Sequence, residues 1–330
     1  MGETGSAGEV PGSRLSRRTL LATAATSALV LGGCRADGEE PRPGARSSTP
    51  ADPGRFPGDP GPGRLYLGAS LGSLEPAAAR PDLGGAAMSM TRRFYRADQV
   101  PLMAEAARGD VSAGILPFVS SKLPGSWAAV ARGEYDAWLD DVLGTLADVD
   151  APVLLALHHE PENDVGPDHS RQDWVALQQR ALARAEGTPV TVVPVLMTWT
   201  FRHHLSQRDP QGWLVPGAPL LGVDLYNPWQ PTRPSPWVEF AGLLQPIRAV
   251  VPDLPLVVPE VATAPDPADP MRTALWLRRA VQTAVQQDVV GMAWFDTETP
   301  NHHDRRLDEA GRQELQQLLT GPEIARLGET

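Results

Sequence analysis

Two glutamates in this chain of 330 residues each follow a short apolar run, and as a pair they have the chemistry to break a glycosidic bond. Glu160 stands in Leu157-His158-His159-Glu160-Pro161-Glu162-Asn163, and Glu260 follows Leu256-Val257-Val258-Pro259. Glycosidic cleavage needs one carboxyl protonated to donate to the departing oxygen. The second must be ionised to attack the anomeric carbon. Retaining enzymes hold the two roughly 5–5.5 Å apart, against roughly 6.5–9.5 Å where a water must fit between them. Like charge at that range raises one pKa and leaves the other low, which separates the roles. Strand alternation puts Glu160 on the side of Leu154, Ala156 and His158, and Glu260 on the side of Leu256 and Val258.

The histidine pairs offer ligand-type atoms, at His158-His159-Glu160, His203-His204 and His302-His303-Asp304. Adjacent residues of a strand point oppositely, and no His-Glu-x-x-His occurs, so neither a metal nor a cofactor is expected. His302 and His303 read better as rim donors to a sugar hydroxyl. Glu162 reads as a loop carboxylate accepting from a backbone amide, and Glu298, past the last strand, as a residue on a loop suited to a subsite contact.

Eight apolar runs must position these groups: 65–71, 87–95, 111–119, 152–158, 190–197, 220–225, 256–258 and 289–295. Each is near strand length, as buried parallel strands are. Between them, Trp138, Leu139, Val142, Leu143 and Leu146 make one helical stripe; Trp276, Leu277, Ala280, Val281 and Val285 make another. Alternating strand and helix implies a parallel α/β fold, and eight units favour a single (β/α)₈ (TIM) barrel over a doubly wound sheet. The weakest unit is the first, where 72–85 makes a poor helix. Barrel chemistry belongs at the carboxyl ends of the strands. Glu160 ends the fourth and Glu260 the seventh, which lie across the mouth from each other.

An acid/base on strand four and a nucleophile on strand seven is the pattern of the large clan of retaining barrel glycosidases. His159 before Glu160, where most of that clan has Asn, resembles glycoside hydrolase family 26, the β-mannanase family; Val223-Asp224-Leu225-Tyr226-Asn227 is similar to its strand-six segment. The resemblance implies Glu160 as acid/base, Glu260 as nucleophile and His159 as a substrate-orienting neighbour. It also implies Tyr226 bonded near the nucleophile, Asp224 at the site and Trp294 as the sugar-stacking floor. The implied substrate is a β-linked polysaccharide or oligosaccharide, β-mannan-like, and the activity that of an endo-β-mannanase. The chain departs from the family in the extra His158, in Pro161-Glu162 in place of Met-Asn, and in its short loops. A non-catalytic carbohydrate-binding barrel is the alternative those departures support.

Seven of the nine tryptophans divide by position. Trp138, Trp174, Trp237 and Trp276 fall in helical segments and read as core. Trp199, Trp229 and Trp294 follow strand ends, where a ring can stack on a sugar or simply pack. Arg93 reads either as a mouth residue bonding a carboxylate or sugar hydroxyl, or as a structural ion pair. Lys122, the one lysine, reads as surface.

The amino-terminal stretch is an address. Arg17-Arg18 precedes a short apolar run ending in Leu31-Gly32-Gly33-Cys34, which resembles a twin-arginine signal over 1–33 followed by a lipoprotein box. Cys34, the only cysteine, would carry the lipid and anchor the protein to the outer face of the cell membrane. Residues 34–63 are rich in Pro, Gly and Ser and read as a tether. The barrel is assigned to 64–320 and a tail to 321–330. The formal net charge of −11 argues against nucleic acid as a partner.

Overall fold

A computed structural model describes residues 54–202, 209–298 and 304–329. Nine parallel strands form its sheet: β1 (Tyr66–Ser70), β2 (Met90–Tyr95), β3 (Leu116–Ser121), β4 (Val153–Leu157), β5 (Val190–Val192), β6 (Val195–Met197), β7 (Leu221–Tyr226), β8 (Leu256–Ala262) and β9 (Val289–Trp294). Their spatial order is β5-β4-β3-β2-β1-β9-β8-β7-β6. The two outermost strands are halves of one expected run, parted at Val193-Pro194. Pro194 has no N–H to give, so the ladder cannot pass through it. Val193 N–H donates back to Leu155 (2.8 Å), and Pro194 C=O accepts from Gly222 N–H (2.8 Å). The chain therefore changes partner from β4 to β7 within a few residues, and the eight-unit ring closes there.

The helices are α1 (Val100–Ser112), α2 (Trp127–Ala131), α3 (Asp136–Ala147), α4 (Arg171–Ala185), α5 (Phe240–Val250), α6 (Arg272–Gln286) and α7 (Glu309–Leu318). The first unit has three short 3₁₀ turns between residues 77 and 87 in place of a helix. Its Gly- and Pro-rich sequence, with a left-handed Gly84 (φ 103°), cannot sustain one. The predicted stripes bury for the most part: Leu139, Val142, Leu143 and Leu146 on α3, and Trp276, Leu277, Ala280 and Val281 on α6, with Val285 only partly buried. Trp174 and Trp276 are core. Trp138 and Trp237 are only partly buried, and Trp237 lies on extended chain before α5 rather than in a helix.

The barrel interior is filled by Tyr66, Met90, Phe118, Leu154, Ala156, Val195, Val257 and Ala293. Tight fit shows at Gly68, where an added Cβ would lie 1.7 Å from the Met90 carbonyl oxygen. Phe56 and Ala325 join the same cluster, which corrects two boundaries. Thr191 Oγ donates to Pro57 C=O (3.1 Å), so the stretch from about residue 55 packs on the barrel, inside the segment assigned to the tether. The tail assigned to 321–330 is also tied down: Leu65 bridges Ile324, and Ala325 N–H donates to Leu65 C=O (2.9 Å). Arg17, Arg18 and Cys34 lie outside the described residues, as do His203, His204, His302 and His303. Among the described residues, no helix is long and apolar enough to cross a membrane.

Candidate active site

Glu160, Asp224 and Glu260 converge at the carboxyl ends of the strands, with one carboxylate oxygen of each within 4.8 Å of the others. Backbone conformation rather than simple alternation aims them. After β4 the chain turns twice through the left-handed region, at His158 (φ 53°) and Glu160 (φ 52°). Non-glycine residues pay roughly 1 kcal/mol or more for that conformation, a cost that collects at functional sites. The double kink lets the adjacent His159 and Glu160 both face the mouth. His158 instead turns outward against Trp127 (ring centroids 5.0 Å), with its Nε2–H donating to Asp164 (2.7 Å).

Glu260 reaches the interior by a different route. Leu256 and Val258 face the helical layer, whereas Val257 faces the barrel interior. The register against β9 shifts between Val258 and Val261, and that against β7 between Gly222 and Leu225. This irregularity slips the alternation by one residue and turns Glu260 inward. The expectation that Glu260 shares a face with Leu256 and Val258 is thereby corrected.

Glu260 is 4% exposed. It accepts a hydrogen bond from the Tyr226 hydroxyl through Oε2, and the Arg92 guanidinium lies 3.5 Å from Oε1. Burial pushes its carboxyl above the usual range, while Arg92 and the Tyr226 hydroxyl pull it down. Glu160 is half-buried and accepts from the Asn163 amide (3.2 Å). Its pKa is pushed up to about 7, first by burial and then by the charge on Glu260. Glu260 has the cation and Glu160 has the repulsion, so Glu260 ionises first. That ordering separates a nucleophile from a proton donor.

His159 lies between β3 and the nucleophile, with Nδ1 3.0 Å from Ser120 Oγ and Nε2 3.9 Å from Glu260 Oε1. Burial, then the neighbouring Arg92, hold it well below the usual histidine range, so it stands neutral. Tyr226 is itself pushed well above 10 by burial and by Glu260, which keeps it a donor. Replacing Tyr226 with Phe removes one hydrogen bond to a charged acceptor, worth about 1.5–3 kcal/mol. We expect turnover to fall about 10- to 100-fold, with the acid limb of the pH profile moving up as Glu260 becomes harder to ionise. Unchanged kinetics across pH would show that the bond does not support the nucleophile.

One open alternative is resolved here and one sequence expectation needs revision. Arg93 is 1% exposed and faces outward: its guanidinium grips Asp110 of α1 through two bonds (2.9 and 2.8 Å), so it is the structural ion pair. The inward residue is its neighbour Arg92, 0% exposed, its charge lying 4.5 and 4.7 Å from the ring centres of Phe94 and Phe118. Trp294 is 1% exposed; its ring packs on Trp276 (6.3 Å) and its N–H donates to Arg305 C=O (2.8 Å). It cannot offer a face to a sugar. The partly exposed ring beside Tyr226 is Phe295, 6.0 Å from it and 6.3 Å from Phe94. Trp199 is half-buried in the 3₁₀ turn Thr198–Phe201 after β6, and Trp229 packs on Trp237 (5.4 Å). Glu162 accepts from Met197 N–H (3.0 Å), as a loop carboxylate should. Lys122 is half-exposed, 3.7 Å from Asp164.

No protein-family model and no curated protein matches the chain in sequence. Solved structures do match in fold. An exo-beta-1,4-mannosidase from Opitutaceae bacterium strain TAV5 superposes with a TM-score of 0.57 at 13% identity, over 78% of this chain and 59% of that one. The chain thus spans little more than half of that protein. The GH26 domain of an endo-beta-mannanase/endo-beta-glucanase from Prevotella bryantii gives 0.53 at 7%, covering 79% and 90%. Cel5A of Thermotoga maritima, solved with mannotriose, gives 0.51 at 12%, covering 77% and 98%. At these identities the likeness is one of architecture: the chain has the (β/α)₈ barrel fold that these glycoside hydrolases share.

Proposed function

We propose that this protein is a retaining glycoside hydrolase acting on a β-linked glycan, with Glu260 as nucleophile and Glu160 as acid/base. The observation that carries the reading is two carboxyl groups with oxygens within 4.8 Å, one beside a buried guanidinium and the other half-open to solvent. That separation suits direct attack rather than an interposed water. In the first step Glu260 Oε bonds to the anomeric carbon as the C–O bond to the leaving group breaks. Glu160 gives that oxygen its proton. In the second step Glu160 takes a proton from water, whose oxygen displaces Glu260 from the same carbon. His159, Tyr226 and Asp224 line the reacting centre, Phe295 borders Tyr226, and Trp199 on the turn after β6 is a candidate subsite residue.

β-Mannan is the favoured substrate class, because His159 precedes the acid/base and a mannosidase and a mannanase are among the proteins of like fold. Arg17-Arg18 and Cys34 support export and lipid anchoring at the outer face of the membrane. Incubating the chain from Arg35 onward with β-mannan, β-glucan and xylan, and reading released reducing ends, tests the reading. β-Mannan should give the fastest release. Tight binding of all three with no release would favour a carbohydrate-binding barrel.

The pH profile follows from Glu160. Its raised pKa means the proton is present below about 7 and lost above. Activity should therefore decline as pH rises through about 7. Folding is linked the same way: the folded form holds this proton more tightly, so stability falls as pH rises from about 4.5 to about 7. Glu160→Gln should abolish the alkaline limb along with most turnover. A limb that survives this change would belong to another group.

A further inference from the structure

The site holds three carboxyl groups and one fixed cation. Asp224, on β7, is 0% exposed, and neither of its carboxylate oxygens has a hydrogen-bond partner. Oε1 of Glu260 is likewise unpartnered and buried. The charged and titratable groups facing Asp224 are Glu260 from β8, Glu160 and Glu162 from the loop after β4, Arg92 from β2 and Tyr226 from its own strand, with Glu162 held by the Met197 N–H. Arg92 lies against Glu260, which already receives the Tyr226 hydroxyl as well. Full ionisation would bury three negative charges around one positive one, which desolvation forbids.

We propose that Asp224 is a positioning residue kept as an uncharged carboxylic acid, so that the cluster of Glu160, Asp224 and Glu260 carries a single negative charge, matched by Arg92, at every stage of turnover. The inference rests on the hydrolase reading for its purpose, though not for its chemistry. Before attack the negative charge sits on Glu260, and Glu160 and Asp224 each hold a proton. As the glycosyl ester forms, Glu260 becomes neutral and Glu160, having given up its proton, becomes the anion. Hydrolysis of the ester reverses this. The charge moves from one glutamate to the other and its amount stays constant, with the Asp224 proton a spectator. An ionised Asp224 would oppose Glu260 as nucleophile and Glu160 as anion in turn. A protonated one adds no second charge beside the unpartnered Glu260 Oε1. The same burial and carboxylate neighbours push the Asp224 carboxyl well above its ordinary range. A buried carboxylic acid serving as a donor at neutral pH has precedent in general site chemistry.

Aspartate-selective carboxyl ¹³C NMR on the full chain tests this without relying on activity. At pH 8 one aspartate resonance should remain at the protonated-acid position, and it should vanish in Asp224→Asn, or in Asp224→Ser if the first variant does not fold. Finding every aspartate in the carboxylate form at pH 8 would overturn the proposal. A second readout uses hydrolysis. Asn mimics a neutral acid, so Asp224→Asn, whatever its effect on turnover, should leave the alkaline limb within about 0.3 pH unit of its place. A fall of about one unit or more would mean that a negative charge had been removed, again overturning the idea. A chain that hydrolyses no glycan yet keeps the protonated resonance would sink the enzymatic reading and leave the proton assignment standing.

Discussion

Replacing Glu260 with Ala should lower turnover on any accepted glycan by at least about 10⁴-fold in a chain that still folds cooperatively. The size follows from what is lost. No other described carboxylate at the mouth combines burial, a cationic neighbour at 3.5 Å and a phenolic donor. Water attacking in its place would need a base on the far side of the ring, and the carboxyl spacing leaves little room for one. Some stability should be lost as well, about 3–5 kcal/mol at most, because the change breaks a buried pair from one side, so folding of the variant is checked by circular dichroism before its rate is read. The variant leaves Arg92 unpaired, but Arg92 keeps its contacts with the rings of Phe94 and Phe118. Adding azide as a small external nucleophile should restore part of the rate and yield the glycosyl azide of opposite anomeric configuration. Near-normal hydrolysis by Glu260→Ala would remove Glu260 from the mechanism.

Arg92→Met should instead cost stability, and the cost should depend on pH. Met fills most of the volume between Phe94 and Phe118 but leaves Glu260 as a buried charge without its cation. Breaking a buried pair from one side costs about 3–5 kcal/mol. Burial already raises the Glu260 carboxyl, and without Arg92 it rises further. For such a group the protonated form is the one that suits the fold, so the penalty is absent in acid and grows as pH climbs through the raised pKa. Denaturant melts at pH 5 and pH 8 should thus differ far more in Arg92→Met than in the parent chain. The acid limb of activity should shift upward in parallel, since the nucleophile must ionise without help. An equal loss of stability at both pH values would point to packing around Phe94 and Phe118 instead.

The sequence makes some of these residues legible and hides others, for identifiable reasons. Glu160 and Glu260 stand out because each interrupts the end of an apolar strand, and barrel topology then brings strands four and seven together. The strand count also reads through, although nothing short of the ladder itself reveals that Pro194 splits the fifth run into two partners. What fails is facing. Arg92 and Arg93 are neighbours in one strand, and a shift of one residue exchanges the mouth for the helical layer. Met90, which fills the interior, fixes the alternation as Met90, Arg92 and Phe94 inward, but that anchor is visible only once β1 and β3 are paired beside it. Trp294 and Phe295 pose the same problem. The larger ring invites the functional reading, yet α6 presents Trp276 for it to pack on.

Glu260 itself was assigned to the right place by an alternation that the bulge breaks. The ends of the barrel mislead differently. Residues 54–63 have the composition of a free tether, but one aromatic residue, Phe56, is enough to seat them on the interior cluster.

Trapping the covalent intermediate tests the central claim most directly. A 2-deoxy-2-fluoro glycoside with a good leaving group slows breakdown of the ester more than its formation, so the enzyme should gain the mass of one fluoro-sugar. Peptide mapping should place that mass on Glu260. A label on another carboxylate, or hydrolysis of the parent glycoside with no label at all, would contradict the account.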